Sequence, residues 1–188
     1  MKSIAVFSGS NYGFSPVYAQ SARLLGSCLA VNKIELIYGG SCKGLMGLVA
    51  DAALEAGGKV VGIMNQEFVD LGHLHPGLSE ARVVPDMITR KMQMCHRADG
   101  FIALAGGLGT YEEIFEVATL IQVGALNKPL GLLNTNGFFN ILSQLLQHAE
   151  DQGFLKGEHR AVMRIKDDPD VLLNALMQPQ DPYVSKWL

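Results

Sequence analysis

Three short stretches in this chain combine glycine with small polar residues in a way that suits anion binding. They are Ser8-Gly9-Ser10-Asn11-Tyr12-Gly13, Gly39-Gly40-Ser41-Cys42-Lys43-Gly44 and Gly106-Gly107-Leu108-Gly109-Thr110. Each follows a short β-branched run and precedes a stretch of helical period. A backbone without Cβ can adopt positive φ and approach an anion closely, while the free N–H groups of the following helix point at it. Phosphate is the natural guest. None of the three is a Walker loop, since no Gly-Lys-Ser/Thr follows, and none is a GxGxxG with an acidic residue ending the next strand. ATPase and NAD readings lose their support on that ground.

The third stretch carries the most chemistry. Thr110 adds a hydroxyl beside the N–H groups, and Glu112 and Glu113 fall in the first turns of the helix that follows. Along that helix Ile114, Val117, Ala118 and Ile121 recur at i, i+3, i+4 and i+7 and form the core stripe, which leaves Glu112, Glu113, Glu116 and Thr119 on the remaining surface. Two readings of the acids stay open from the residues alone. They can offset the helix dipole as solvated charges, or one of them can face a sugar held above the phosphate loop. Arg90-Lys91 form a second constellation, on a helix opened by Pro85-Asp86. Adjacent residues do not share a helix face, so one cation can point to the site and the other elsewhere.

The elements that position these residues alternate. Short apolar strands are expected at 4–7, 34–38, 60–64, 82–84, 101–104, 130–133 and 162–165, and helices at 17–30, 45–56, 87–97, 111–123, 138–150 and 169–176. This rhythm predicts an α/β, doubly wound, mainly parallel sheet of Rossmann-like type, in which all three glycine turns lie at the carboxyl edge where ligands bind near the switch point. No linker or repeat interrupts it, so 1–188 is read as a single domain. Residues 65–80 read as a long loop with a helical turn.

Composition narrows the partners. With 188 residues, 48% of them hydrophobic, and a formal charge of -3, the chain can bury one substantial core but lacks the basic excess of a nucleic-acid binder. Cys28, Cys42 and Cys95 are odd in number and form no CxxC, which speaks against a disulfide framework or a zinc site. The opening MKSIAVFSGS has an apolar run too short for a signal peptide or a membrane span, so a cytoplasmic location is expected. His73 and His75 could be ligands of a hydrolytic metal, but they lack a third partner and read as a surface loop. Met87, Met92 and Met94 read as core or interface packing. Tyr183 and Trp187 read as residues that pack on the body.

The assembled motifs resemble the LONELY GUY family, often described as "possible lysine decarboxylase". The resemblance runs from Val6-Phe7-Ser8-Gly9-Ser10 through Tyr38-Gly39-Gly40 and Gly44-Leu45-Met46-Gly47 to Met87-Ile88-Thr89-Arg90-Lys91. It ends in Ala105-Gly106-Gly107-Leu108-Gly109-Thr110-Tyr111-Glu112-Glu113, which is similar to the family's PGGxGTxxE. The resemblance implies hydrolysis of the N-glycosidic bond of cytokinin riboside 5′-monophosphates, with Arg90 and Glu113 as the catalytic pair. It further implies substrate contacts from Glu67, Lys91, the 106–112 loop with Leu108 and Tyr111, and Thr119, and no cofactor. The phosphate-turn reading adds Gly9, Ser10 and Gly40. A homodimer or an assembly of dimers is the implied oligomer.

Some positions depart from the family pattern. Ala105 replaces the motif proline, Ser41 a frequent third glycine and Ile88-Thr89 a frequent His-Gln, and 72–78 is unlike the usual segment. These changes leave plain AMP, or purine monophosphates generally, as an alternative substrate. A nucleotide sensor without chemistry is a second alternative. Decarboxylation would need a pyridoxal phosphate lysine, for which no motif is present.

Overall fold

The computed structural model describes residues 1–179 and 184–186. Tyr183 and Trp187 lie outside the described residues. Seven strands form one parallel sheet in the order β4-β3-β2-β1-β5-β6-β7. They are β1 (Ser3–Phe7), β2 (Glu35–Tyr38), β3 (Val60–Asn65), β4 (Glu80–Val84), β5 (Gly100–Ala103), β6 (Leu130–Leu133) and β7 (Met163–Lys166). The chain steps outward from β1 to β4, then returns to place β5 on the other side of β1. The switch point is therefore between β1 and β5, the strands that feed the first and third glycine turns.

The helices are α1 (Pro16–Val31), α2 (Gly44–Glu55), α3 (Gln66–Asp70), α4 (Met87–Arg97), α5 (Leu108–Gln122), α6 (Asn140–Asp151), α7 (Gly157–Arg160) and α8 (Pro169–Met177). Successive strand residues point to opposite faces, and each face carries its own core. Ile4, Val6, Leu36, Tyr38, Val60 and Ile102 pack with Leu25, Leu29, Val49 and Leu172 of α1, α2 and α8. Ala5, Phe7, Ile37, Val61, Ile63, Phe101 and Ala103 pack with Met94, Ile114, Val117 and Leu142 of α4, α5 and α6. Both faces are covered, which is why the strands read as nearly continuous apolar runs.

Most expected elements stand within a residue or two of their places, and α4 matches at both ends. Three differences matter. First, α5 begins at Leu108 rather than 111, with Gly107 as its N-cap and Gly109 in its first turn, so glycines that read as loop form the helix start. Second, residues 65–80 hold α3 and the beginning of β4, together with a β-bridge between Ser41 and Leu74. Third, α7 has too few residues for periodicity to reveal it.

Candidate active site

The three turns are joined to one another by backbone. Gly9 N–H donates to the Ala105 carbonyl at 3.0 Å, and Leu45 N–H donates to the Gly9 carbonyl at 3.0 Å. Such closeness excludes side chains. A Cβ on Gly44, whose φ is +55°, would stand 2.2 Å from the Ser10 backbone, and one on Gly106 would stand 2.8 Å from Gly9 N. Helices α1, α2 and α5, which leave these turns, have no side-chain cap. By contrast Asp86 caps α4 by accepting from Thr89 N–H, and Asp168 caps α8 by accepting from Val171 N–H. At α5, Gly107 is the N-cap and the first N–H groups have no helical acceptor.

Arg90 is buried, with 8% of its surface exposed. Its Nε donates to the Ile63 carbonyl at 2.9 Å and its Nη2 to the Gly39 carbonyl at 3.1 Å, so the guanidinium lies across the ends of β3 and β2. Burial holds its pKa below the ordinary arginine value, and the Glu113 charge opposes that shift. Glu113 lies in the opening turns of α5, half-buried. Burial is the main cause that pushes its carboxyl up to about 7, against the pull of Arg90. Glu113 is thus half-buried and within electrostatic reach of the buried Arg90 charge.

The adjacent cation turns the other way. Lys91 joins α4 to α5 through ion pairs with Glu112 and, at 3.0 Å, with Glu116. The hydrogen bond to Glu112 is the first cause of its raised pKa. Among the remaining expected residues, Gly9 and Gly106 are half-exposed and Ser10, Gly107, Leu108 and Gly109 exposed around the α5 start, whereas Thr110 is buried and Tyr111 half-buried. Glu67 is exposed in the first turn of α3, just beyond the end of β3. Gly40 is buried in its turn, with φ +77° and its carbonyl bonded to His75 N–H at 2.9 Å.

Thr119 is not brought to this rim. It lies six residues beyond Glu113, about 9 Å along the helix, and lines a separate cavity of about 240 Å³ with Phe115, Gln122, His159 and Arg160. His75 corrects the surface-loop reading, because it is buried. Gly77 N–H donates to its Nδ1 at 3.1 Å, which leaves Nε2 to donate to Asp51 at 2.9 Å. Among the described residues no group of three or more His, Cys, Asp or Glu side chains is placed to hold a metal ion. The methionines divide, with Met94 in the core and Met87 and Met92 exposed.

Sequence reasoning missed the reason for Gly39. A Cβ there would stand 1.7 Å from Arg90 Nη2. Gly39 is thus the socket for the arginine rather than a phosphate contact, a role that the Gly39-Gly40 pair, which reads in the sequence as part of an anion-binding turn, does not signal.

Comparison with known proteins places the chain in a family. The family model described as "Possible lysine decarboxylase" matches residues 46–176. The cytokinin riboside 5′-monophosphate phosphoribohydrolase of Rhodococcoides fascians is 41% identical over 95% of this chain and 90% of its own length. The Arabidopsis thaliana phosphoribohydrolase LOG7 is 41% identical over 86% of this chain and 75% of its own. Among solved structures, the molybdenum cofactor binding protein from the phototrophic bacterium Rippkaea orientalis shares the fold, with a TM-score of 0.71 at 23% identity over 95% of this chain and 99% of that one. On the strength of the family match and of relatives this similar over most of their length, the chain belongs to the LONELY GUY family.

Proposed function

We propose that this protein hydrolyses the N-glycosidic bond of N6-modified purine riboside 5′-monophosphates, releasing the free base, a cytokinin, and D-ribose 5-phosphate. The observation that carries the mechanism is a buried arginine held at the ends of β2 and β3, with a half-buried glutamate of α5 within reach of its charge, beside a helix start that has no side-chain cap. The 5′-phosphate sits on the N–H groups of 107–110, with Gly9 and Ser10 alongside, which favours monophosphates over nucleosides.

Cleavage passes through an oxocarbenium-like state at C1′, where the Glu113 carboxylate offsets the positive charge and accepts a proton from the attacking water. Water supplies the hydroxyl to C1′, and a proton returns to the departing base. Arg90 remains charged and so cannot be the proton donor; it stabilises the negative charge that builds on the purine. Lys91 fixes α4 against α5, and Glu67 stands at the outer rim on the base side. Decarboxylation does not fit, because the similar relatives are phosphoribohydrolases and no pyridoxal phosphate lysine motif is present.

The whole chain acts as one catalytic unit in this reading, and its functional form is a homodimer or an assembly of dimers. Exposed Met87, Ile88 and Met92 on α4 and Leu108 on α5 support a subunit face. Sedimentation at micromolar concentration tests this. Among the described residues no helix is long and apolar enough to cross a membrane. A cytoplasmic location suits Cys28, Cys42 and Cys95, which stand as free thiols.

The decisive assay measures release of free base and ribose 5-phosphate from AMP and from N6-isopentenyl-AMP, by wild type and by Glu113→Gln. Release that the substitution abolishes supports the reading, and the ratio of the two substrates sets how far the cytokinin preference extends over plain AMP. Nucleotide binding without release from either substrate would leave a sensor.

A further inference from the structure

Four buried side-chain atoms among the described residues have no hydrogen-bond partner: Ser8 Oγ, Tyr38 OH, Asn65 Oδ1 and Gln93 Oε1. A buried polar group left unpaired is costly, so each calls for a reason. Tyr38 belongs to the core of the α1 and α2 face, and Ser8, two residues past Val6, alternates to that same face. Gln93 lies one turn deeper along α4. Asn65 differs from all three in its place.

Asn65 is the last residue of β3 and is 4% exposed. It follows Val61 and Ile63 in the strand alternation and therefore lies on the α4 and α5 face, the face of Arg90. The Ile63 carbonyl that holds Arg90 Nε is two residues back, about 7 Å along the strand. Asn65 also pairs with Val84, immediately before the turn into α4. The residue occupies the N-cap of α3, a position where asparagine normally accepts a helix N–H, yet its side chain makes no cap bond. A buried amide on the strand whose Ile63 carbonyl holds Arg90 is thus spent neither on its own helix nor on another side chain.

The order of groups along the carboxyl edge says what would meet it. The open α5 start is at β5 and Arg90 spans the ends of β2 and β3, while Asn65 ends β3. A nucleotide with its phosphate on α5 and its C1′ at Glu113 directs its base over Arg90 toward Asn65. We propose that Asn65 is a specificity-determining residue for the base, its amide reading the N6–H and N7 edge of an adenine-type ring; this rests on the hydrolase reading above. An asparagine amide offers an acceptor and a donor side by side, which match N6–H and N7 in one plane. A singly N6-substituted adenine keeps one N6–H for Oδ1. The bond from Nδ2 to N7 draws electron density from the departing purine and so assists its release.

The test compares kcat/KM for N6-methyl-AMP and N6,N6-dimethyl-AMP, and for AMP and inosine 5′-monophosphate, with wild type and Asn65→Ala. Wild type is expected to favour the first member of each pair by about tenfold or more, since a site built to bond a donor rejects an analogue that lacks it. Asn65→Ala is expected to bring both ratios close to one. A merely structural role would lower all four rates together and leave the ratios standing, which overturns the proposal. The wild-type comparison needs no variant, so equal cleavage of the mono- and dimethyl substrates overturns it even if Asn65→Ala does not fold. No base release from any substrate by wild type is a different result, for it removes the hydrolase reading itself.

Discussion

Gly39 and Arg90 share one volume: the guanidinium Nη2 stands where a β-carbon at position 39 would project, 1.7 Å away. The glycine also supplies the carbonyl that accepts from that nitrogen at 3.1 Å. One residue therefore both makes room for the arginine and holds it, although fifty-one positions separate them.

Gly39→Ala is expected to displace Arg90 and lower kcat/KM by about 100-fold, the usual scale for a misplacement of about 1 Å in a catalytic group. Steady-state base release with a parallel thermal melt checks this. A fully active alanine variant would mean that Arg90 does not act from the position described.

Glu113 links activity and stability to pH with opposite signs. As a carboxylate it is competent only above its raised pKa, so base release should climb on an acid limb centred near pH 7. For stability, a carboxyl whose folded pKa exceeds its unfolded value binds more protons in the native state. Its favourable contribution is present below the unfolded pKa of 4.5 and is lost as pH rises through about 7. Relative to wild type, Glu113→Gln should therefore gain stability between pH 4.5 and pH 8, by on the order of 1–3 kcal/mol. Urea melts at the two pH values measure it, and a constant difference between them contradicts the assignment.

The clamp on Lys91 yields paired displacements of that acid limb. The Glu116 charge raises the Glu113 pKa and the Lys91 charge lowers it. Glu116→Gln should move the limb to lower pH and Lys91→Ala to higher pH, each by a fraction of a unit, with Lys91→Ala also losing turnover as α4 slackens against α5. Movement of both limbs in one direction would show that the clamp acts by position alone.

Base release should be unchanged by a chelator such as EDTA. The reason lies in His75, whose two ring nitrogens are engaged by Gly77 and Asp51 and are not available as ligands. His75→Ala is expected instead to free the segment around Leu74 from its bridge to Ser41, seen as faster proteolysis between β3 and β4. Chelator-sensitive turnover by the wild type would reopen the metal reading.

How much of this was legible beforehand follows from the range of each signal. Strand and helix periodicity is local, so the sheet, α4 and the core stripe at Ile114 and Val117 were readable from the chain. The acids at the α5 start were readable as candidates, but not their choice between solvent and site, because burial is set by how α4 packs beside them. Gly39 depends on a partner far away in sequence, Arg90, and the burial of Asn65 is set by elements that fold over the end of β3 from elsewhere in the chain. No composition or spacing rule reaches across such separations. The first turn of α5 was hidden for the opposite reason, since its glycines carry a strong local loop signal that an open helix N-terminus overrides.

The chain of backbone bonds from Leu45 to Gly9 to Ala105 has a further effect on what sequence change can do. Main-chain groups do not vary when residues are exchanged, so the joined glycine turns, and the phosphate cradle proposed for them, persist as long as the glycines do. The base recognition proposed here depends instead on side chains at the outer strand ends, which are free to differ. A scaffold divided in this way can acquire a new preference by altering one or two rim residues while its anchor, and with it the reaction trajectory at C1′, stays put.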